Sequence, residues 1–104
     1  PRIKAHWLTG YKQQSETEHW LPSADKVVQT VQRLGVDGLG TDKKRQVVTA
    51  DFLAALRKQG VKEFHVWTVD NPQDARFFAE QGAWGITTNR PLEIRRALQR
   101  SAGQ

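Results

Sequence analysis

Four short polar segments hold the side chains of this sequence that are best suited to binding a ligand. Each segment follows an apolar stretch, and Lys12, Lys43 and Arg90 are the cations within them that we predict to bind substrate. If the apolar stretches are parallel strands, their carboxyl ends meet at one edge and form an electropositive rim suited to phosphate. The alternative for the charges at 43–45 is a solvated turn. The segments are Thr9–Lys12, Thr41–Arg45, Trp67–Asn71 and Thr87–Arg90.

Trp67 is the aromatic residue of these segments that is best placed for recognition. Side chains alternate along a strand, so Trp67 shares one face with His65 and Val69. If that face lines the mouth of a barrel, the indole ring forms a pocket wall and its N–H can donate a hydrogen bond. The alternative is a tryptophan of the hydrophobic core, because large aromatic side chains are usually buried for packing.

The sequence contains no complete catalytic set. The histidines His6, His19 and His65 do not fall at a metal-ligand spacing, and we interpret each as structural or exposed. Glu16 and Glu18 have the spacing of paired carboxylates, but they lie in a polar loop without companions. Glycine-rich phosphate loops and serine-centred nucleophile motifs are absent. We therefore predict no catalytic residue and no metal ligand in this chain.

The elements that would position these side chains follow a repeat of helix, glycine and strand. Gly35, Gly60 and Gly82 each end an apolar helical pattern, where glycine accepts the left-handed conformation of a helix end. The strands predicted after these glycines are Val36–Leu39, Val61–Val69 and Ala83–Thr87. Ile3–Leu8 predicts a further strand at the front, before a polar loop at 9–21. The predicted helix starts are Pro22 or Ser23, Thr49, Asn71, and Asn89 or Arg90.

This alternation predicts an α/β fold with parallel strands and right-handed crossovers. Four βα units are half of a (β/α)8 TIM barrel, which typically needs ~250 residues. A small open α/β sheet is the competing architecture. We predict a single half-barrel domain at 1–100 and a frayed tail at 101–104.

The composition excludes several classes of protein. The 104 residues suffice for one domain, and the absence of cysteine excludes a disulfide framework and a thiolate metal site. The sequence has neither a membrane-length apolar run nor a signal peptide, so we predict a cytoplasmic protein. A first residue of Pro1 suggests a processed, trimmed or partial chain. The net charge of +5 suits an anionic partner, although it can equally serve solubility.

Two motifs near the end of the chain resemble one enzyme family. They are His65 to Asn71 (HVWTVDN) and Gly85 to Pro91 (GITTNRP), separated by a helix that ends at Gly82. Together they are similar to the C-terminal signature of the glycerophosphodiester phosphodiesterases, and the similarity continues upstream through 34–38. Trp84 departs from that pattern, since the family commonly has a small or acidic residue there.

The resemblance implies the second half of a TIM barrel and a role in lipid metabolism. The family hydrolyses glycerophosphodiesters to glycerol 3-phosphate and an alcohol, using Mg²⁺ or Ca²⁺ and two histidines. Those ligands belong to the first half of the family barrel and have no counterpart in this sequence. The resemblance therefore implies a chain that is inactive alone, takes no cofactor by itself, and contributes Trp67 as a pocket wall.

A non-catalytic interaction module is the alternative from a different functional class. A half-barrel leaves an unpaired edge strand on each side, and two copies could close an eight-stranded barrel as a homodimer. Nucleic-acid binding is weaker, because it rests on charge alone and the aromatic residues are placed as core.

Overall fold

The computed structural model describes residues 5–13, 15 and 19–102, with the backbone alone for 100–102. Four strands and four helices alternate along the chain, as the repeat of helix, glycine and strand predicts. The strands are β1 (His6–Thr9), β2 (Gly38–Asp42), β3 (Phe64–Trp67) and β4 (Gly85–Ile86). The helices are α1 (Ala24–Leu34), α2 (Ala50–Lys58), α3 (Pro72–Glu80) and α4 (Pro91–Ala102).

All strand pairs are parallel, and the strands lie side by side in sequence order, β1-β2-β3-β4. Parallel crossovers are right-handed as a rule, which places the connecting helices α1, α2 and α3 on the same face of the sheet. The predicted α/β fold of parallel βα units is confirmed, and its order is that of part of a TIM barrel.

The helix ends are set by the residues that the sequence indicated. The side chains of Ser23, Thr49 and Asn71 accept hydrogen bonds from the first-turn N–H groups of α1, α2 and α3. Gly35 follows α1 with φ of 67°, a left-handed conformation that glycine adopts without the clash a Cβ would bring. These caps therefore fix the residues at which the helices begin and end, and with them the length of the connection to the next strand.

The hydrophobic core lies between the sheet and the helices. Leu39, Phe64 and Val66 point from the strands into this core, where they meet helix residues such as Phe78. Alternation places the remaining strand side chains on the opposite face, which we call the helix-free face. By strand register it carries His6, Leu8, Gly38, Gly40, Asp42, His65, Trp67 and Gly85.

Three strand boundaries differ from the predicted ones. β2 begins at Gly38 rather than Val36 and extends to Asp42, because Thr41 is fully buried against the helices. β3 begins at Phe64, since the N–H of Val61 still bonds to a carbonyl of α2. β4 is only two residues long.

The face predicted for Val69 is wrong. β3 ends at Trp67, and after that point the side chain of Val69 turns into the core instead of following the alternation. At the front, Ile3 and Lys4 of the predicted first strand lie outside the described residues, as do residues 103–104 of the predicted tail.

The polar loop after β1 is pinned at its base. Backbone hydrogen bonds of 2.9 and 2.7 Å join Lys12 to Leu21 in both directions. Next to this closure Trp20 packs on the core, whereas Leu21 is exposed. In the part of the chain that the structure describes, no helix is long and apolar enough to cross a bilayer.

Candidate functional site

The carboxyl edge of the sheet brings Trp67 beside Asp42. The two residues are register partners on β3 and β2, and both lie on the helix-free face. Asp42 accepts a hydrogen bond from the backbone N–H of Lys44 at 3.0 Å, which directs one carboxylate oxygen toward the loop. Sequence reasoning did not select Asp42, although its strand-end position was a usable signal.

Trp67 has a polar atom without a partner. The ring is half-buried, and its Nε1 is fully buried with no hydrogen-bond acceptor among the described residues. A buried donor left unpaired costs about 1–3 kcal/mol, so it favours any acceptor that can reach it. A ligand oxygen can reach the covered indole N–H only if its surroundings move, whereas the half-buried ring can form a pocket wall as it stands.

The three predicted cations occupy different surroundings. Lys43 is tied to Trp67 through the backbone, since its N–H donates to the Trp67 carbonyl at 3.0 Å. Lys12 lines a separate depression near the end of β1. Arg90 is exposed in the turn before α4, where its guanidinium lies 3.3 Å from the carboxylate of Glu93. The substrate role of all three stays a prediction.

The basic loop after β2 is more than a solvated turn. The guanidinium of Arg45 lies 3.4 Å from the ring centroid of Phe77 and 3.3 Å from the carboxylate of Asp74, so it docks the loop on α3. The ammonium group of Lys44 lies 4.8 Å from the ring centroid of Trp20. Two of the three charges at 43–45 are therefore held against aromatic rings.

Asp70 fastens the turn between β4 and α4. One of its oxygens accepts from the backbone N–H of Asn89 and from the hydroxyl of Thr88, both at 2.8 Å. These two hydrogen bonds hold the pKa of the Asp70 carboxyl below its ordinary value. Thr88 and Asn89 of the GITTNRP motif thus form the turn that joins β4 to α4.

A second polar cluster lies farther from the carboxyl edge and was missed by sequence reasoning. The Nδ1 atoms of His6 and His65 are 2.6 Å apart, and the Nε2 of His6 is 2.6 Å from a carboxylate oxygen of Glu63. The edge of the Trp84 ring packs on His6 with centroids 5.3 Å apart. Sequence reasoning interpreted these two histidines as structural or exposed and did not pair them.

Glycines on β2 make this contact possible. β1 and β3 are separated by β2, so their side chains start about 9–10 Å apart. A Cβ at Gly40 would stand 2.6 Å from the ring of His65, and one at Gly38 would stand 2.1 Å from the carbonyl oxygen of Glu63. The Gly38-x-Gly40 spacing in a strand was the sequence signal for a crossing of side chains above it.

The histidine pair can hold one hydrogen between its two Nδ1 atoms. One Nδ1 must donate and the other accept, while the Nε2–H of His6 donates to Glu63. Burial, followed by the charge of His6, lowers the pKa of His65 below its ordinary value of 6.5. With this lowered pKa, the unfolded chain binds more protons than the folded chain once the pH falls below about 6.5. The free energy of unfolding therefore decreases as the pH falls below that value.

Comparison with known families decides the relationship of this chain. The Glycerophosphoryl diester phosphodiesterase family matches residues 11–93, which is most of the chain. The chain belongs to this family. The resemblance drawn from HVWTVDN and GITTNRP is therefore confirmed.

A solved structure supports the same fold for this member of the phosphodiesterase family. It is a protein from Silicibacter pomeroyi DSS-3 that has been assigned as a glycerophosphoryl diester phosphodiesterase, with a TM-score of 0.70 and 23% identity. The match covers 96% of this chain and 32% of that one, so the chain spans about a third of that structure's length. No curated protein matches the chain.

The divalent metal associated with the phosphodiesterase family does not fit the residues described here. Within 5–13, 15 and 19–102, no three His, Cys, Asp or Glu side chains come together as metal ligands would. The two Nδ1 atoms of His6 and His65 are close enough to share a hydrogen but too close for both to ligate one ion comfortably. Glu16 and Glu18, the paired carboxylates of the polar loop, lie outside the described residues.

Proposed function

We propose that this chain forms one wall of the substrate pocket of a glycerophosphodiester phosphodiesterase. The reaction is hydrolysis of a glycerophosphodiester to glycerol 3-phosphate and an alcohol, a step of lipid metabolism, in the cytoplasm. Membership of the family supports the reaction class. In this proposal 1–100 is a half-barrel domain, and the Mg²⁺ or Ca²⁺ and the catalytic histidines come from polypeptide beyond this chain.

The observation that carries the proposal is the half-buried ring of Trp67. It lies at the carboxyl edge, where parallel α/β folds bind their ligands. A small movement of its surroundings would let a phosphoryl oxygen, a strong acceptor, form the hydrogen bond that the indole N–H lacks. Lys12, Lys43 and Arg90 would add the positive field that attracts the anion. The chain would thus bind and orient the substrate while another segment carries out the chemistry.

Binding of glycerol 3-phosphate should perturb the indole N–H resonance of Trp67 more than that of any other tryptophan. In a ¹⁵N-labelled sample the indole N–H resonance of Trp67 should shift on titration with glycerol 3-phosphate, because a hydrogen bond to the phosphate replaces an unpaired state. Trp67→Phe should weaken binding about tenfold, which corresponds to the loss of one hydrogen bond to a charged group.

The control for that titration is Trp84→Phe, which changes an exposed tryptophan of the same face. It should leave the affinity unchanged. The same sample should release no glycerol 3-phosphate from glycerophosphocholine with Mg²⁺ or Ca²⁺ in a coupled assay. Metal-dependent product from the chain alone, or an unmoved Trp67 resonance at saturating ligand, would overturn the proposal.

A non-catalytic half-barrel that pairs with itself is the second candidate. Among the described residues, β1 and β4 each pair with a strand on one side only, and such edges can accept another strand. Two copies would supply eight strands. Sedimentation equilibrium should then give twice the chain mass at micromolar concentration, and a monomer at all concentrations would count against this candidate.

A further inference from the structure

A depression of about 910 Å³ opens at the carboxyl ends of β1 and β2. We call it the basic cleft and define it by Tyr11, Lys12, Pro22, Lys26, Asp42 and Lys44, which line it. It adjoins the proposed pocket, because Asp42 lines the cleft and is also the register partner of Trp67. A substrate that places its phosphate at Trp67 therefore has the cleft beside it for its other half.

The charge of the cleft is mainly positive. Among the residues that the structure describes, three lysines line it, Lys12, Lys26 and Lys44, against the single acidic residue Asp42. The Tyr11 hydroxyl adds no negative charge, because it is bonded to the Thr41 hydroxyl at 2.6 Å and burial keeps it neutral. The described lining thus carries a net charge of about +2, which favours an anion and disfavours a cation.

Tyr11 of the cleft lining is buried, and the neighbouring ring of Trp20 is already engaged by a cation. Recognition of a quaternary ammonium group requires open aromatic faces. Here the ammonium group of Lys44 lies 4.8 Å from the centroid of the Trp20 ring. A choline group would have to displace Lys44 from this ring while lying among the other two lysines, so the cleft is ill-suited to choline.

We propose that the basic cleft selects glycerophosphodiesters whose alcohol carries its own negative charge, such as a phosphorylated polyol, over those with a choline alcohol. This selection rests on the proposed function, since it uses Trp67 as the phosphodiester contact. Lys26 and Lys44 are the specificity-determining residues, because they line the cleft and are not among the residues assigned to the phosphodiester contact. The cleft then recognises the part of the substrate that leaves as the alcohol.

The test compares three ligands on the ¹⁵N-labelled chain at low ionic strength. They are glycerophosphoinositol 4-phosphate, glycerophosphocholine and inorganic phosphate. The first should bind at least about tenfold more tightly than either of the others, and its affinity should fall with added salt, as expected for contacts between exposed charges. Lys26→Gln and Lys44→Gln should each remove about threefold or more of that preference.

Lys58→Gln is the matched control, because it removes the same charge from the exposed last turn of α2. It should leave the preference intact. If both diesters shift Trp67 with equal affinity, or inorganic phosphate binds as tightly as the anionic diester, the selection is overturned while the proposed function stands. If neither diester shifts Trp67, the proposed function fails and the selection fails with it.

Discussion

Gly38→Ala is expected to lower the free energy of unfolding by about 3 kcal/mol, or to prevent folding altogether. A Cβ at this position would stand 2.1 Å from the carbonyl oxygen of Glu63 and 2.9 Å from its carbonyl carbon. Both are backbone atoms, and the same oxygen accepts a hydrogen bond from Leu39 at 3.1 Å. The clash can therefore be relieved only by moving one strand away from the next, which breaks that bond. Urea denaturation followed by circular dichroism measures the loss.

Gly85→Ala is the matched control on the same face. There the added Cβ would lie 3.8 Å from the Cβ of His65, which is ordinary van der Waals contact. The change should alter the free energy of unfolding by less than about 1 kcal/mol. A Gly38→Ala protein that stays within that range of the unmodified chain would show that the register of β2 against β3 is not the one described.

Alkaline titration of Tyr11 is expected to remove roughly 2–3 kcal/mol of stability between pH 10 and about 12. Burial raises the pKa of Tyr11 from its ordinary 10.0 to about 12, and a hydrogen bond with Thr41 only partly opposes this rise. In that window the unfolded chain loses the tyrosine proton while the folded chain keeps it. Unfolding is therefore favoured as pH rises, and the contribution is fully present below pH 10.

Tyr11 is the only tyrosine, so the ultraviolet absorbance of tyrosinate reports on it alone. The absorbance should begin to rise well above pH 10, and circular dichroism on the same sample shows whether the chain is still folded. Tyr11→Phe should lack this part of the alkaline loss. A folded sample that titrates with a midpoint near pH 10 would contradict the buried position of the ring.

The sequence was most informative about features formed by residues close together along the chain. Ser23, Thr49 and Asn71 cap helices because their oxygens reach N–H groups two or three residues ahead. Gly35 ends α1 through its own backbone conformation. The order of elements follows from such local signals, and with it the parallel sheet.

Contacts across the sheet were beyond sequence reasoning. His6 and His65 are 59 residues apart, and their meeting depends on the register of three strands and on the two glycines between them. A shift of register by one residue would place these side chains on opposite faces. Periodicity alone does not specify the register, so neither histidine could be paired beforehand.

The polar site was predicted in part for the same reason. Trp67 could be placed at a strand end, but its pairing with Asp42 required the register between β2 and β3. The cleft formed by Lys12, Lys26 and Lys44 draws on a loop, a helix and a second loop. Such a combination of side chains is visible only once the chain has folded.

The bare strand under the histidine pair also shapes the sheet as a whole. His6 of β1 and His65 of β3 meet above Gly38 and Gly40 of β2 and so hold β1 and β3 closer together on that face. On the opposite face, the side chains of Leu39 and Thr41 keep the sheet and the helices apart. We expect this arrangement to favour a sheet that curves toward the helix-free face. A barrel completed by further strands would then take part of its inward curvature from the glycines of β2.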